Sequence, residues 1–222
     1  MKKDFTINFQ GDSTLVIKLG ENIDYETNKI VHNLFNNLER DICFQDYIYD
    51  IYPTFNNIVI DYDNLLTDFE TLKADITKKI YIYLKNYQSD VLENQITEIP
   101  VSYGGLNGPD LKKMSNELRI SEEEIIEIHS STIYRIFMIG FMPGFPYLGG
   151  LDKRISFPRL STPRIAVPEG SVGIAGMQTG IYPFDSPGGW NIIGRTEKKL
   201  FNTMSNPPAL LPSGSNLKFI RI

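Results

Sequence analysis

The sequence predicts an α+β protein in two parts, a small α+β sandwich over residues 1–88 followed by an all-β barrel over residues 89–222. Of the 17 glycines and 13 prolines, only two glycines and one proline precede residue 100. The net charge changes sign at the same place. Residues 1–99 carry 17 acidic and 9 basic side chains (net −8), and residues 100–222 carry 10 acidic and 13 basic side chains (net +3). These two asymmetries indicate two physically different domains in one chain.

Apolar spacing predicts the elements of the first part. Residues 5–19 alternate and then become apolar, which indicates two strands around a turn at Gly11–Asp12. Asp24 begins a helix whose apolar residues recur at helical spacing as far as Leu38. The remaining predicted elements are a strand pair at Ile48–Tyr52 and Asn57–Tyr62 around Pro53, and a second helix at Asp68–Leu84.

Short elements and frequent turns characterise the second part. Residues 86–98 are polar and are predicted to form the linker, and Ile99–Tyr103 is predicted to be the first strand after it. A helix is expected over Asp110–Glu117, and Ser121 begins another with a glutamate three positions later, as in a capping box. From Tyr134 onward the strands are short and the turns frequent, which is typical of a barrel.

Several function classes conflict with the composition. No run of about 20 apolar residues exists, and the charged N-terminus lacks a signal-peptide core, so we expect a cytoplasmic protein without a membrane span. The single Cys43 excludes a disulfide framework within one chain, and one cysteine with two histidines disfavours a metal site built from soft ligands. The acidic first half and mildly basic second half disfavour nucleic-acid binding. The glycine-rich signatures of nucleotide-binding loops are missing from the sequence.

The segment from Gly140 to Thr196 is the densest in glycine, proline and aromatic residues. Glycine lets a backbone approach a ligand closely, and proline fixes turns. Aromatic side chains within the segment could form the walls of a pocket on such loops; they are Phe141, Phe145, Tyr147, Tyr182 and Trp190. The alternative is that a small barrel needs many tight corners, and the residues alone leave both explanations open.

Three arginines in this segment are candidates for binding an anion. Arg159 and Arg164 each follow a proline, and Arg195 follows a glycine. A guanidinium held by a rigid backbone suits bidentate recognition of a carboxylate or phosphate. We expect at least one of the three to bind an anion; the alternative for each is a surface arginine paired with a local acid.

The cluster Ser186-Pro187-Gly188-Gly189-Trp190 is the sharpest local motif. The N–H groups of Gly188 and Gly189 could form an anion-binding nest, Ser186 could donate a hydrogen bond, and Trp190 could stack on a ligand. The spacing places no base for Ser186 to act as a nucleophile. His129 lies at a predicted helix end, where a structural role is favoured over a catalytic one.

Long segments of the chain resemble the B subunit of 5-oxoprolinase, a family also called KipI-type or allophanate hydrolase subunit 1. The segments that carry the resemblance are IPVSYGG (99–105), GFMPGFPYLGGLD (140–152) and PRLSTPRIAVPEGSVGIAGMQTGIYPFDSPGGWNIIGRT (158–196). Residues 14–34 and 121–130 are similar to the family's N-terminal block and central helix. The resemblance implies a C-terminal cyclophilin-like barrel and partner subunits A and C. It also implies ATP with Mg²⁺, shared with or supplied by a partner, for conversion of 5-oxo-L-proline to L-glutamate.

Carried over by position, the resemblance implies a set of site residues. The expected catalytic residues are His129, Arg164, Gln178, Ser186 and Arg195. The expected substrate-binding residues are Pro143, Gly144, Tyr147, Thr179, Tyr182, Gly188, Gly189, Trp190 and Thr196. In this interpretation the two arginines bind anionic groups, Gln178 and Ser186 orient the lactam, and His129 is a candidate for a proton carrier.

Two other functions are compatible with the resemblance. Similar proteins bind and inhibit a sporulation-type histidine kinase, so the barrel could be a regulator. Other members of the family act in carboxyl transfer on urea-like amides, and this sequence contains no biotin-acceptor or carboxylase segment for that reaction. An enzyme subunit acting in lactam phosphorylation, inactive alone, is the main hypothesis.

Overall fold

The computed structural model describes residues 5–85 and 96–222, and the chain divides into two compact units, Met1–Val91 and Leu92–Ile222. Most of the predicted linker, 86–98, lies outside the described residues. Its last three residues are instead the beginning of a strand, Ile96–Tyr103. None of the helices in the described ranges is long and apolar enough to cross a membrane.

The first unit is an antiparallel sheet that shares one apolar core with two helices. Its strands are β1 (Thr6–Gln10), β2 (Thr14–Lys18), β3 (Ile48–Pro53) and β4 (Asn57–Tyr62), in the order β1-β2-β4-β3. Its helices are α1 (Tyr25–Ile42) and α2 (Phe69–Lys85). The Asp24 carboxylate accepts the Thr27 N–H at 2.8 Å and so caps α1 as the sequence predicts. Apolar side chains of alternate strand residues and of both helices form the core.

The second unit is a closed β-barrel with two helices packed on its strands. The strands are β5 (Ile96–Tyr103), β6 (Ile133–Ile139), β7 (Pro146–Gly149), β8 (Arg164–Val167), β9 (Ser171–Ala175), β10 (Gln178–Ile181), β11 (Ser186–Gly188), β12 (Asn191–Arg195) and β13 (Asn216–Arg221). The helices are α3 (Leu111–Leu118) and α4 (Glu122–Ser131), and Lys153–Ile155 forms a short 3₁₀ helix.

The barrel closes in the order β10-β7-β6-β13-β5-β12-β9, and β11 and β8 form a separate two-stranded sheet. The first and last strands of the unit, β5 and β13, pair in parallel, with Ile96 opposite Asn216. The Ser121 hydroxyl accepts the Glu124 N–H at 3.0 Å at the start of α4, as predicted. The α+β fold class with a C-terminal barrel is thereby confirmed.

Candidate functional site

An aromatic cavity of about 330 Å³ lies against the barrel strand β10. We use the name "aromatic cavity" for the space lined by Phe141, Phe145, Tyr147, Arg159, Pro163, Tyr182, Pro187, Gly188, Gly189 and Trp190. Thr179 of β10 faces the apolar core, so its neighbour Gly180 faces the opposite side of the strand. A Cβ on Gly180 would lie 3.0 Å from both Phe145 and Trp190, which places these rings over the side of β10 that faces away from the core.

Glycines allow the aromatic side chains to lie directly on the backbone. A Cβ on Gly173 would lie 3.0 Å from the Trp190 Cβ, and one on Gly188 would lie 2.3 Å from the Tyr182 hydroxyl. Any larger residue at these positions would displace a ring of the cavity wall. Glycine is therefore needed at Gly173, Gly180 and Gly188 because aromatic side chains approach the backbone closely there, and not because the barrel forms a tight turn at these positions.

Phe145 is the centre of the aromatic wall. Its ring makes edge-to-face contacts with Tyr147, Tyr182 and Trp190 at centroid separations of 5.0, 5.3 and 5.4 Å. Phe141 also contacts Phe145 edge-to-face, and it is held at φ 68°, a backbone conformation that non-glycine residues rarely adopt. This strained position leaves the Phe141 ring exposed beside the buried rings. The wall is thus a set of mutually packed rings with an exposed aromatic of unusual backbone conformation at its edge.

Among the described residues, Arg159 is the one cationic side chain that lines the aromatic cavity. Its guanidinium carbon lies 6.0 Å from the centroid of the Trp190 ring, within the range of a cation–π contact. The side chain is exposed, and it forms no ion pair with a carboxylate in the described part of the chain. Burial raises the pKa of Tyr147 and of Tyr182, and the positive charge of Arg159 opposes both shifts. A free guanidinium at an apolar cavity suits a small anion with an apolar body.

Arg164 has a partner within the chain. Its Nη2 lies 2.6 Å from Oδ1 of the buried Asp110, and its Nη1 donates to the Trp190 carbonyl at 3.3 Å. The other oxygen of Asp110 accepts the Ile192 N–H at 2.6 Å. Arg164 and Asp110 therefore hold the chain on both sides of Asn191. The structure therefore places the Arg164 guanidinium in an ion pair within the chain, and its expected binding of an anionic ligand stays a prediction.

His129 and Thr179 lie in the apolar core and not in the cavity. Thr179 Oγ1 donates to the Gly173 carbonyl at 2.9 Å, so it accepts from His129 Nε2, also at 2.9 Å. His129 Nδ1 must then accept the Tyr103 hydroxyl at 2.8 Å. Burial lowers the pKa of His129 to about 3, which keeps the ring neutral. The network gives both side chains partners within the core, and the expected proton-carrier role of His129 and substrate contact of Thr179 stay predictions.

A second cavity, of about 350 Å³, contains the other predicted anion-binding arginine. We use the name "polar cavity" for the space lined by Ser102, Asn107, Glu169, Arg195, Thr196, Glu197, Lys198 and Lys199. Arg195 Nε donates to the Glu169 carbonyl at 2.8 Å, and the Arg195 side chain is exposed. Thr196 is buried and accepts the Lys198 N–H at 3.1 Å. Within the described ranges, the aromatic and polar cavities have no lining residue in common.

A comparison with protein families matches residues 5–211 to the carboxyltransferase domain, subdomain C and D. The chain belongs to this family. A protein from Bacillus subtilis (strain 168), named as the B subunit of 5-oxoprolinase, is 41% identical, covering 98% of this chain and 94% of its own length. Another of the same name from Escherichia coli O157:H7 is 35% identical, covering 95% and 93%. The expected resemblance to the B subunit of 5-oxoprolinase is confirmed.

Solved structures of larger proteins contain the same fold. The crystal structure of TTHA0988 matches with a TM-score of 0.79 at 29% identity, and covers 94% of this chain, which spans only 39% of that one. The urea amidolyase of K. lactis matches with a TM-score of 0.76 at 19% identity, covering 98% of this chain and 15% of that chain. The second likeness concerns the fold alone. In both cases the carboxyltransferase-domain fold is one part of a longer polypeptide.

The two cavities of this carboxyltransferase-domain protein divide the predicted site residues. Tyr147, Tyr182, Gly188, Gly189 and Trp190 line the aromatic cavity, as the sequence predicts, and Arg195 and Thr196 line the polar cavity. The cavities are also lined by Pro163, Lys198 and Lys199, for which the sequence predicted no role. Lys198 and Lys199 lie within three residues of Thr196, the last residue of the segment 158–196. Their closeness to this segment was the one sequence signal that could have predicted a role for them.

The other predicted residues lie outside both linings. Gly144 has φ +83° and forms a turn against Phe201, and Pro143 precedes it in that turn. Gln178 Nε2 and Ser186 Oγ are buried and have no hydrogen-bond partner among the described residues. A buried polar atom without a partner carries a free-energy cost of about 1–3 kcal/mol. Their expected role in orienting a substrate remains a prediction.

Proposed function

We propose that this chain is the B subunit of an ATP-dependent 5-oxoprolinase and that it binds 5-oxo-L-proline in the aromatic cavity. Two relatives named as B subunits of 5-oxoprolinase, 41% and 35% identical, support the subunit assignment. The observation that carries the assignment of the cavity is the guanidinium of Arg159, free of ion pairs in the described chain, beside an otherwise aromatic and apolar lining.

The chemistry of 5-oxoproline matches this lining. The substrate is a five-membered lactam ring with one carboxylate, so it combines a compact body with a single negative charge. The ring would lie against the faces of Trp190 and Tyr147, and the carboxylate would pair with Arg159. The backbone of Gly188 and Gly189 forms part of the same lining and can approach the lactam closely, since neither residue has a side chain.

Opening a lactam with water requires activation of its carbonyl. Transfer of the γ-phosphoryl group of ATP to the lactam oxygen releases ADP and makes the carbonyl carbon a better electrophile. One water then adds at that carbon and the C–N bond breaks, which frees the amine and leaves an acyl phosphate. A second water hydrolyses the acyl phosphate to the glutamate carboxylate and inorganic phosphate. This chain's part is to hold and orient the lactam against the aromatic wall during the reaction. ATP with Mg²⁺ supplies the phosphoryl group, at a site shared with or supplied by a partner subunit, and subunits A and C are the proposed partners.

Reconstitution tests the proposed function. The chain is purified alone and together with subunits A and C, and ATP hydrolysis that depends on 5-oxoproline is measured for each mixture. We expect no activity from the chain alone and full activity from the three subunits together. Full activity of subunits A and C without this chain would contradict the proposal. A mixture that contains a chain with Lys153→Gln, an exposed residue outside both cavities, is the control for handling and assembly.

A further inference from the structure

The polar cavity concentrates cationic side chains on one short segment. Arg195, Lys198 and Lys199 line it, and none of the three forms an ion pair with a carboxylate in residues 5–85 and 96–222. Glu169 and Glu197 line the same space. The lining therefore carries three positive and two negative side chains, with the hydroxyl of Ser102 and the amide of Asn107 as neutral partners.

The backbone holds Arg195 in one position. Arg195 Nε donates to the Glu169 carbonyl at 2.8 Å, and the Thr196 N–H donates to the Gly170 carbonyl at 2.9 Å. Gly170 has φ +81°, and a Cβ there would lie 2.0 Å from the Thr196 carbonyl oxygen, so only glycine fits. The two terminal nitrogens of the Arg195 guanidinium form no hydrogen bond with the described part of the chain. They are left in the fork geometry that binds two oxygens of an anion.

The two lysines extend from a segment that is fixed at both ends. Thr196 Oγ1 accepts the Lys198 N–H at 3.1 Å on one side. On the other side, Leu200 is buried and its carbonyl accepts the Leu210 N–H at 2.8 Å. The exposed ammonium groups can therefore reach the cavity from a defined backbone, which lowers the entropy lost when they meet a ligand.

We propose that the polar cavity binds a phosphate group. A fixed guanidinium fork and two flexible ammonium groups are the typical protein partners of phosphate oxygens. The two glutamates would repel a bare anion, but Mg²⁺ in nucleotide sites is usually held by one or two carboxylates together with phosphate oxygens. Glu169 and Glu197 therefore fit a phosphate that arrives with Mg²⁺. The ligand is the phosphate of a nucleotide or free inorganic phosphate, and only the first of these sources rests on the proposed function.

The backbone of Tyr182 connects the phosphate site to the aromatic cavity. The Gly170 N–H donates to the Tyr182 carbonyl at 2.8 Å, and the Tyr182 N–H donates to the Ser171 carbonyl at 2.9 Å. The ring of the same tyrosine is part of the aromatic wall. The loop that positions Arg195 is thus hydrogen-bonded to the backbone of a residue whose ring lines the aromatic cavity.

A titration of the full-length ¹⁵N-labelled chain tests the phosphate site. Amide chemical shifts are followed while inorganic phosphate, ATP, or ATP with Mg²⁺ is added at constant ionic strength. We expect saturable changes in the amide chemical shifts of Gly170 and of residues 195–199. Whichever of ATP and inorganic phosphate binds with the lower dissociation constant identifies the source of the bound phosphate group. Replacing both lysines (Lys198→Gln with Lys199→Gln) removes two charge-assisted contacts and should weaken binding about tenfold or more.

The control is Lys153→Gln, which removes one exposed lysine of the same unit from outside the cavity. It should leave both the affinity and the shifted residues unchanged. Absence of shifts at residues 195–199 with every ligand would overturn the proposal, and so would an equal loss of affinity in the control. Since both lysines are exposed, the variant should keep the spectrum of a folded chain. Neither 5-oxoproline nor a partner subunit is needed, so failure here is separate from failure of the proposed function.

Discussion

Replacing Asp110 by asparagine should destabilise the barrel unit and loosen the wall of the aromatic cavity. Asp110 accepts two hydrogen bonds at 2.6 Å, one from Arg164 Nη2 and one from the Ile192 N–H. An asparagine has one acceptor oxygen, so its NH₂ group must face one of these two donors. The change leaves one donor without an acceptor and leaves Arg164 without a negative partner.

The size of this effect follows from burial. Losing one partner of a buried ion pair costs about 3–5 kcal/mol, but the Arg164 side chain is 31% exposed, so water replaces part of the interaction. The unpaired hydrogen-bond donor adds to this cost, and the partial exposure of Arg164 to water reduces it. We therefore expect the free energy of unfolding to fall by about 2–3 kcal/mol. Because Arg164 also donates to the Trp190 carbonyl, the fluorescence of Trp190 should change in the folded variant.

Urea denaturation of the variant and of a matched control measures this loss. Asp152→Asn removes the charge of an ion pair of similar length, Arg154–Asp152 at 2.8 Å, whose arginine is 62% exposed. The asparagine can still cap the short 3₁₀ helix, so the control should change stability by less than about 1 kcal/mol. A loss below about 1 kcal/mol for Asp110→Asn, or equal losses for both variants, would refute the assigned role of Arg164 and Asp110.

Two further predictions concern the core and the cavity wall. Because the pKa of His129 is lowered to about 3, the unfolded chain binds a proton below pH 6.5 that the folded chain does not, so stability falls between about pH 6.5 and 3. His129→Gln should flatten that decline in denaturation curves by up to about 1.4 kcal/mol per pH unit, and an unchanged slope would contradict the neutral core histidine. Gly188→Ala places a Cβ 2.3 Å from the Tyr182 hydroxyl and should cost about 1–3 kcal/mol in urea denaturation, whereas Gly189→Ala meets nothing closer than 3.7 Å. Equal stability of the two alanine variants would contradict the close approach.

Local signals in the sequence were sufficient for the fold class. The glycine and proline asymmetry reflects a real difference, because long helices and a sheet need few special backbone positions and a small barrel needs many. The start of β5 at Ile96 could not be predicted, since it is set by parallel pairing with Asn216 near the other end of the unit. Pairing partners that distant leave no pattern in the local sequence.

The candidate site was predictable in composition but not in arrangement. Adjacent glycines and aromatics indicated a walled pocket, and Tyr182 and Trp190 line one. Which strands are neighbours decides that the site residues line two cavities and not one. The sequence therefore could not predict that Arg195 and Trp190 line different cavities. The role of Arg164 depends on Asp110, which lies 54 residues earlier in the chain. A proline-flanked arginine has the same local appearance whether it binds a ligand or a buried carboxylate.

The most direct test of the central claim is a titration of the chain with 5-oxoproline, followed by tryptophan fluorescence. Trp190 is the chain's single tryptophan and lines the aromatic cavity, so the signal reports on that cavity. We predict a saturable change that is weakened about tenfold by Arg159→Gln and is unaffected by Arg154→Gln, whose arginine pairs with Asp152. The uncharged lactam 2-pyrrolidinone, which has no carboxylate, should bind both variants equally weakly. A flat titration, or equal affinities for 5-oxoproline in the two variants, would contradict the assignment of the aromatic cavity to this substrate.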